Sequence, residues 1–219
     1  MPKPSQLLLW AAIAVACFMG WQHYQRVYED KGRLTTLIEG DTLIMSWQSK
    51  IDLPMARRMI EAFEESGDRV KRVIVDLSSQ GGSIYEGREA IRVINRMKRT
   101  HRVDTHVGPG RICLSMCVPI FLQGQNRIAA ADSRWMFHEP YHADQFSGAK
   151  VDKPKFEEDY SARKFFNRYF TNSPMNADWR RGLEAAWKGN EIWKTGKDLV
   201  DERSNIITRL YSGTRTDRT

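Results

Sequence analysis

The stretch Arg72-Val73-Ile74-Val75-Asp76-Leu77-Ser78-Ser79-Gln80-Gly81-Gly82-Ser83 decides the fold. Its first half is a short, nearly continuous apolar run, as expected of a buried strand in a helix-covered sheet. The glycine pair that follows permits positive φ and a bare backbone. After it, Ile84, Ala90, Ile91, Ile94 and Met97 recur at helical spacing, predicting a helix over Tyr85 to Lys98. The unit is strand, glycine turn, helix.

The same alternation extends outward. Upstream, Leu37 to Ile51 carries β-type residues, densest at Thr42 to Trp47. Asp52-Leu53-Pro54 starts a helix with proline near its first turn. Met55, Met59, Ile60 and Phe63 lie on one face of that helix, and Ser66-Gly67-Asp68 ends it. Downstream, Arg102 to Val107 reads as a strand and Gly108-Pro109-Gly110 as a turn. A helix is expected from about Ser115 to Leu122, closed by Gly124, and Arg134 to His138 is again strand-like. Strands alternating with helices indicate an α/β fold of βαβ units around a mainly parallel sheet. From Pro154 onward the chain reads as helical. Phe156, Tyr160, Phe165, Phe166, Tyr169 and Phe170 form an aromatic amphipathic segment, and Met175 to Trp187 a second helix.

A chain of 219 residues, 41% hydrophobic and 28% charged, suits one domain with a proper core. The net charge is +7, but Lys and Arg are interspersed with Asp and Glu, so they read as solvated helix faces and not as a nucleic-acid surface. Leu7 to Trp21 is an unbroken run of apolar or small residues behind Lys3. It is shorter than the ~20 residues that span a bilayer comfortably. Residues 1–24 therefore read as a signal anchor or signal peptide, 25–36 as a linker, 37–210 as the folded domain and 211–219 as a polar tail. Residues 7–21 would meet a membrane, placing the domain on its periplasmic or extracytoplasmic side. Cys17 sits in a loose lipoprotein-like box. The other two cysteines, Cys113 and Cys117, read as small buried packing residues, because cysteines four apart on a helix rarely bridge well.

Three pieces carry chemistry. Amides at Gly81 and Gly82 can stabilise an oxyanion, although a glycine pair alone is also an ordinary turn. Ser115 follows a Gly-Pro-Gly turn and can serve as helix cap or nucleophile, with the orphan amide of Met116 beside it. His138 closes a strand and can act as a general base.

Together, Ile74 to Ser83, Cys113-Leu114-Ser115-Met116-Cys117-Val118-Pro119-Ile120-Phe121-Leu122-Gln123-Gly124 and Met136-Phe137-His138-Glu139-Pro140 closely resemble the proteolytic subunit of the Clp protease and its ATP-independent membrane-associated or periplasmic relatives. The resemblance covers roughly Thr42 to Ser204. It implies a crotonase-like fold, a peptide or protein substrate, a homo-oligomer and no cofactor. It implies Ser115 as nucleophile, His138 as base, and the amides of Gly81 or Gly82 with Met116 as oxyanion hole. Two positions depart from the pattern. Gln80 replaces the usual proline before the glycines, and no aspartate stands at the place of the third triad member. Glu184 is the nearest carboxylate there, with Glu191 and Asp178 as other candidates.

Two further readings compete. His138-Glu139-Pro140-Tyr141-His142 matches the H-E-x-x-H zinc pattern, which works on a continuous helix that Pro140 would break. A crotonase-fold scaffold that binds without cutting would tolerate loss of the third carboxylate. The sequence holds no G-x-x-x-x-G-K-[ST] nucleotide loop.

Overall fold

The computed structural model of the chain describes residues 10, 13–20, 34–142, 144 and 150–212. Residues 13–20 are helical (α1). Among the described residues, no helix is long and apolar enough to cross a membrane. Much of the proposed anchor and linker, and residues 213–219 of the tail, lie outside the described residues.

The domain is built on a six-stranded sheet. Its strands are β1 (Leu34–Glu39), β2 (Thr42–Trp47), β3 (Arg72–Leu77), β4 (Arg102–Val107), β6 (Arg127–Ala130) and β9 (Arg209–Tyr211), in that spatial order. Only the β1–β2 hairpin is antiparallel; the other four pairings are parallel. Leu43, Met45 and Trp47 of β2, Val73, Val75 and Leu77 of β3, and Val103 and Val107 of β4 are buried. Against them pack α2 (Met55–Ser66) and α3 (Ile84–Met97), which contribute Met55, Met59, Ala90, Ile94 and Met97. The period of two in the strands and of 3.6 in the helices meet in one core.

The opposite face of the sheet is not apolar, which corrects the expectation of a strand sealed on both sides. Ile44, Ile74 and Ile128 are only partly buried there and share the face with Ser46, Asp76 and His106. The single Asp in Arg72–Leu77 marks this face.

A second, three-stranded sheet has the order β5 (Ile112–Leu114), β7 (Arg134–Phe137), β8 (Ile192–Thr195). Between β5 and β6 lies α4 (Cys117–Phe121), and α5 (Lys155–Phe166) continues into a π-helical turn, Asn167–Thr171. The remaining helices are α6 (Ala177–Ala186) and α7 (Gly196–Asp201). The all-helical reading after Pro154 therefore fails at β8 and β9. These strands are three or four residues long, too short to show a period of their own, and exist through pairing with β7 and β6. Similarly, β1 begins at Leu34, inside the expected linker.

The aromatic segment divides. Phe165, Phe166, Tyr169 and Phe170 are buried, and the three Phe rings pack against Trp187, whose ring lies 5.0 Å from that of Phe166. Phe156 and Tyr160 are exposed.

Candidate functional site

The site forms where three strand ends meet. Beyond β3 the chain runs alongside β5: Ser79 N–H donates to the Ile112 carbonyl at 2.8 Å, and Leu114 N–H to the Ser79 carbonyl at 2.9 Å. On its other side, β5 pairs in parallel with β7, Cys113 opposite Trp135 and Leu114 opposite Met136. Ser115 N–H then donates to the Met136 carbonyl at 2.8 Å. Ser115 and His138 thus leave neighbouring parallel strands at the same end, and the glycine pair lies on the far side of Ser115.

Ser115 does not start a helix as the sequence suggested. It has φ 53°, the left-handed region, and sits in a tight turn between β5 and α4. A non-glycine residue there is costly, and such outliers concentrate at functional sites. It is no helix cap either; Met116 occupies that position. Close approach explains the glycines. A Cβ on Gly81 would stand 2.7 Å from the Ser115 Cβ and 3.1 Å from the Met116 nitrogen. A Cβ on Gly87, in the first turn of α3, would strike the Met116 side chain at 2.4 Å.

The backbone donors are unequal. Gly81 N–H donates to the Ser79 hydroxyl at 3.1 Å. Among the described residues, neither the Gly82 nor the Met116 amide has a hydrogen-bond partner. Of the three amides, Gly82 and Met116 are the two open to an oxyanion. The loop is anchored on both sides: Ile51 N–H donates to the Gly81 carbonyl and Ser83 N–H to the Ile51 carbonyl. Ser83 caps α3 through the Glu86 amide. The buried Glu86 carboxylate accepts from Ala56 N–H at 2.7 Å, tying the start of α3 to the start of α2.

Cys113 and Cys117 are disulfide-bonded, with Cα atoms 5.2 Å apart. They are buried, as expected, but the expectation that they would not bridge was wrong. It assumed one continuous helix. Instead Cys113 lies in strand β5, Cys117 starts a helix, and the turn at Ser115 folds one back on the other. The nucleophile candidate therefore sits at the centre of a closed five-residue ring.

His138 is partly buried, and burial lowers its pKa; the charge of Glu191 and a hydrogen bond with the Glu139 backbone oppose this. The strands explain the choice of carboxylate. β8 runs antiparallel to β7 with Phe137 opposite Ile192 and Met136 opposite Trp193. The next step of that register sets His138 opposite Glu191, a neighbouring position across an antiparallel pair. The Glu139 carboxylate accepts from Gly189 N–H at 2.9 Å, holding the two strand ends together. Glu184 is exposed on α6, and its charge does not figure among those acting on His138. Asp178 is exposed at the first turn of α6 and is paired with Arg181. The zinc pattern is not on a helix: residues 138–142 are irregular, and no three metal-ligating groups converge among the described residues.

Comparison with known proteins agrees at the level of the fold. A point mutant of ClpP1 from Listeria monocytogenes superposes with a TM-score of 0.60 at 14% identity, over 80% of this chain and 93% of that one. The fold is that of ClpP. The same ClpP fold matches a point mutant of 1510-N, a membrane-bound stomatin-specific protease, with a TM-score of 0.62 at 14% identity, over 80% of this chain and 82% of that one. No protein-family model and no curated protein sequence matches the chain.

Proposed function

We propose that this chain is an ATP-independent serine peptidase that cleaves peptides or proteins through an acyl-enzyme. The observation that carries this reading is the left-handed turn at Ser115, packed against Gly81 and leaving a strand parallel to the one that leads to His138, with the amides of Gly82 and Met116 unpaired. Ser115 Oγ attacks the peptide carbonyl while His138 takes its proton. The oxyanion is held by the two amides. His138 returns the proton to the leaving amine, and a water activated by the same imidazole then hydrolyses the ester. Lowering of the His138 pKa keeps the imidazole neutral, and so able to accept, at neutral pH. We assign Glu191, in place of Glu184, to orient His138 and stabilise its charged form.

The reading includes extracytoplasmic work. A buried disulfide in the site suits an oxidising compartment, and the apolar run at residues 7–21 suits a membrane tether. Self-assembly through the exposed Phe156 and Tyr160 face of α5 is also part of it. Turnover of a fluorescent casein and of mixed fluorogenic peptides by the detergent-solubilised full chain tests the activity. Cleavage that survives chelator and nucleotide removal but is lost in Ser115→Ala is expected. A folded wild-type chain that cuts nothing, or a Ser115→Ala variant that still cuts, would defeat the proposal. Protease protection of the domain in intact cells, lost when the outer membrane is opened, checks the location.

A further inference from the structure

The net positive charge is not spent evenly on helix faces. A cleft of about 540 Å³ opens between α3, the loop after α4 and the π-helical turn Asn167–Thr171. Five cations line it: Arg88 and Arg92 of α3, Lys98 at its end, Arg127 of β6 and Arg168 of the π turn. Against them stands one paired carboxylate, Glu89, which holds Arg92 at 2.6 and 2.8 Å and touches Arg88 at 3.4 Å. Among the described residues, no carboxylate lies within ion-pair distance of Lys98, Arg127 or Arg168. Lys98 donates to the Gln123 carbonyl, and the buried Arg127 to the carbonyls of Ile206, Gly124 and Asn205.

A second observation points to a ligand. Tyr169, which also lines the cleft, is 8% exposed, and its buried hydroxyl has no acceptor for its proton. A buried hydroxyl left unpaired is costly and rare in native proteins. Arg168 acts on this oxygen by charge and by a side-chain hydrogen bond, and Arg88 and Arg92 by charge, so a hydroxyl whose proton lacks an acceptor lies among the cations of the cleft. Burial raises its pKa, which keeps it a donor. Arg168 and Tyr169 are carried by a π turn, a distortion frequent at functional sites.

We infer that this cleft binds a phosphate-bearing anion through Arg88, Arg92 and Arg168, with Tyr169 donating its hydroxyl. A planar carboxylate is satisfied by one bidentate arginine; several cations and a hydroxyl from two facing segments suit a tetrahedral dianion. The phosphate belongs either to a free phosphorylated small molecule or to a lipid headgroup. Tyr169 and Arg168 also border the smaller cavity formed with Ile84, Pro140 and Tyr141, beside the segment that follows His138. Occupancy would thus bear on the chain next to the proposed base.

The test is calorimetric titration of the detergent-solubilised full chain with inorganic phosphate and with glycerol 3-phosphate, alongside flotation with phosphatidylglycerol and phosphatidylcholine vesicles. Arg168→Gln should weaken phosphate binding roughly tenfold or more, as loss of a charge-assisted contact implies. Tyr169→Phe, which leaves the ring packing intact, should weaken it several-fold. If phosphatidylglycerol binding falls in the same variants, the headgroup is the source; if only soluble phosphate binding falls, the free anion is. No phosphate binding by the folded wild type, or equal binding by wild type and both variants, overturns the inference.

Discussion

Among the described residues, two histidines stand beside carboxylates, His106 on the large sheet and His138 just past the end of a strand of the small one, and the proposal gives chemistry to the second alone. His106 lies on the open face of the large sheet. Its Nδ1 hydrogen bonds to Asp76 at 2.7 Å and its Nε2 to the Tyr211 hydroxyl at 2.7 Å. Asp76 also accepts from Arg111 at 2.8 Å and from Ser46 at 3.0 Å. Burial alone would raise the Asp76 pKa, but the bond and charge of His106, followed by Arg111, hold it below its ordinary value. Both ring nitrogens of His106 are taken, so this network fastens β9 to β4 across the sheet. By local geometry it looks more like a catalytic dyad than the other pair does.

His138 is the reverse case. It meets Glu191 through charge across the end of a short antiparallel pair, and it stands one strand away from a strained serine whose next residue, Met116, has an unpaired amide. A histidine–carboxylate pair therefore marks a structural network as readily as a site. What separates the two is the company of a nucleophile candidate and unpaired donors.

The sharpest way to break this contrast is to remove each ring. His138→Ala should slow acylation by about 10²–10⁴-fold, the range for a general base. His106→Ala should leave the acylation rate of the folded protein intact and cost about 1–3 kcal/mol of stability by stranding buried partners. Phosphonate labelling rates and urea unfolding of the two variants measure this; equal losses of labelling in both would erase the distinction.

Gly81→Ala comes next. The added methyl has no room against the Leu114 carbonyl, 2.7 Å away, and Gly81 has φ 89°. Displacing the turn from Ser115 should cost about 10²-fold in kcat, comparable to losing an oxyanion donor. Circular dichroism confirming a folded variant makes the kinetic result interpretable.

The disulfide gives a smaller effect. The ring it closes holds Ser115 and the Met116 amide in one geometry, and a misplacement of about 1 Å at such a centre costs up to about 10²-fold. Reduction, or Cys113→Ala with Cys117→Ala, should slow phosphonate labelling by about tenfold with the fold retained, and reoxidation should restore the reduced sample. A Cys17→Ser background removes the exposed free thiol from the count. Unchanged labelling after verified reduction would show that the turn holds itself.

The smallest effect is the most specific. Because the His138 pKa is lowered, the acid limb of activity should fall below about 6.5. The stability gained by keeping this imidazole neutral is complete above the unfolded value and fades as pH drops below it toward the depressed one. Glu191 pulls the pKa up, so Glu191→Gln should move the limb to still lower pH, whereas Glu184→Gln should leave it in place. A shift with Glu184→Gln and none with Glu191→Gln would reverse the assignment.

Parts of this were open to reading from residues alone. Strands Arg72–Leu77 and Arg102–Val107 show as short β-type runs, and the helices that follow and precede the first show their buried faces in their own periodicity. Ser115, His138 and the glycine pair stood out by motif. The rest is non-local. Ile192–Thr195 is four residues long, and only its register on β7 brings Glu191, and not Glu184, opposite His138. The disulfide depends on a left-handed turn at a serine, which no local preference announces. The basic cleft gathers residues from α3, β6 and the π turn that the sequence scatters among acidic neighbours.

The most direct test of the central claim is intact-mass analysis of the full chain after treatment with a fluorophosphonate, comparing wild type, Ser115→Ala and His138→Ala. The account predicts one adduct in the wild type, mapped by peptide sequencing to Ser115, absent from Ser115→Ala and formed far more slowly in His138→Ala. A folded wild type that takes no adduct, or an adduct that persists in Ser115→Ala, would contradict it.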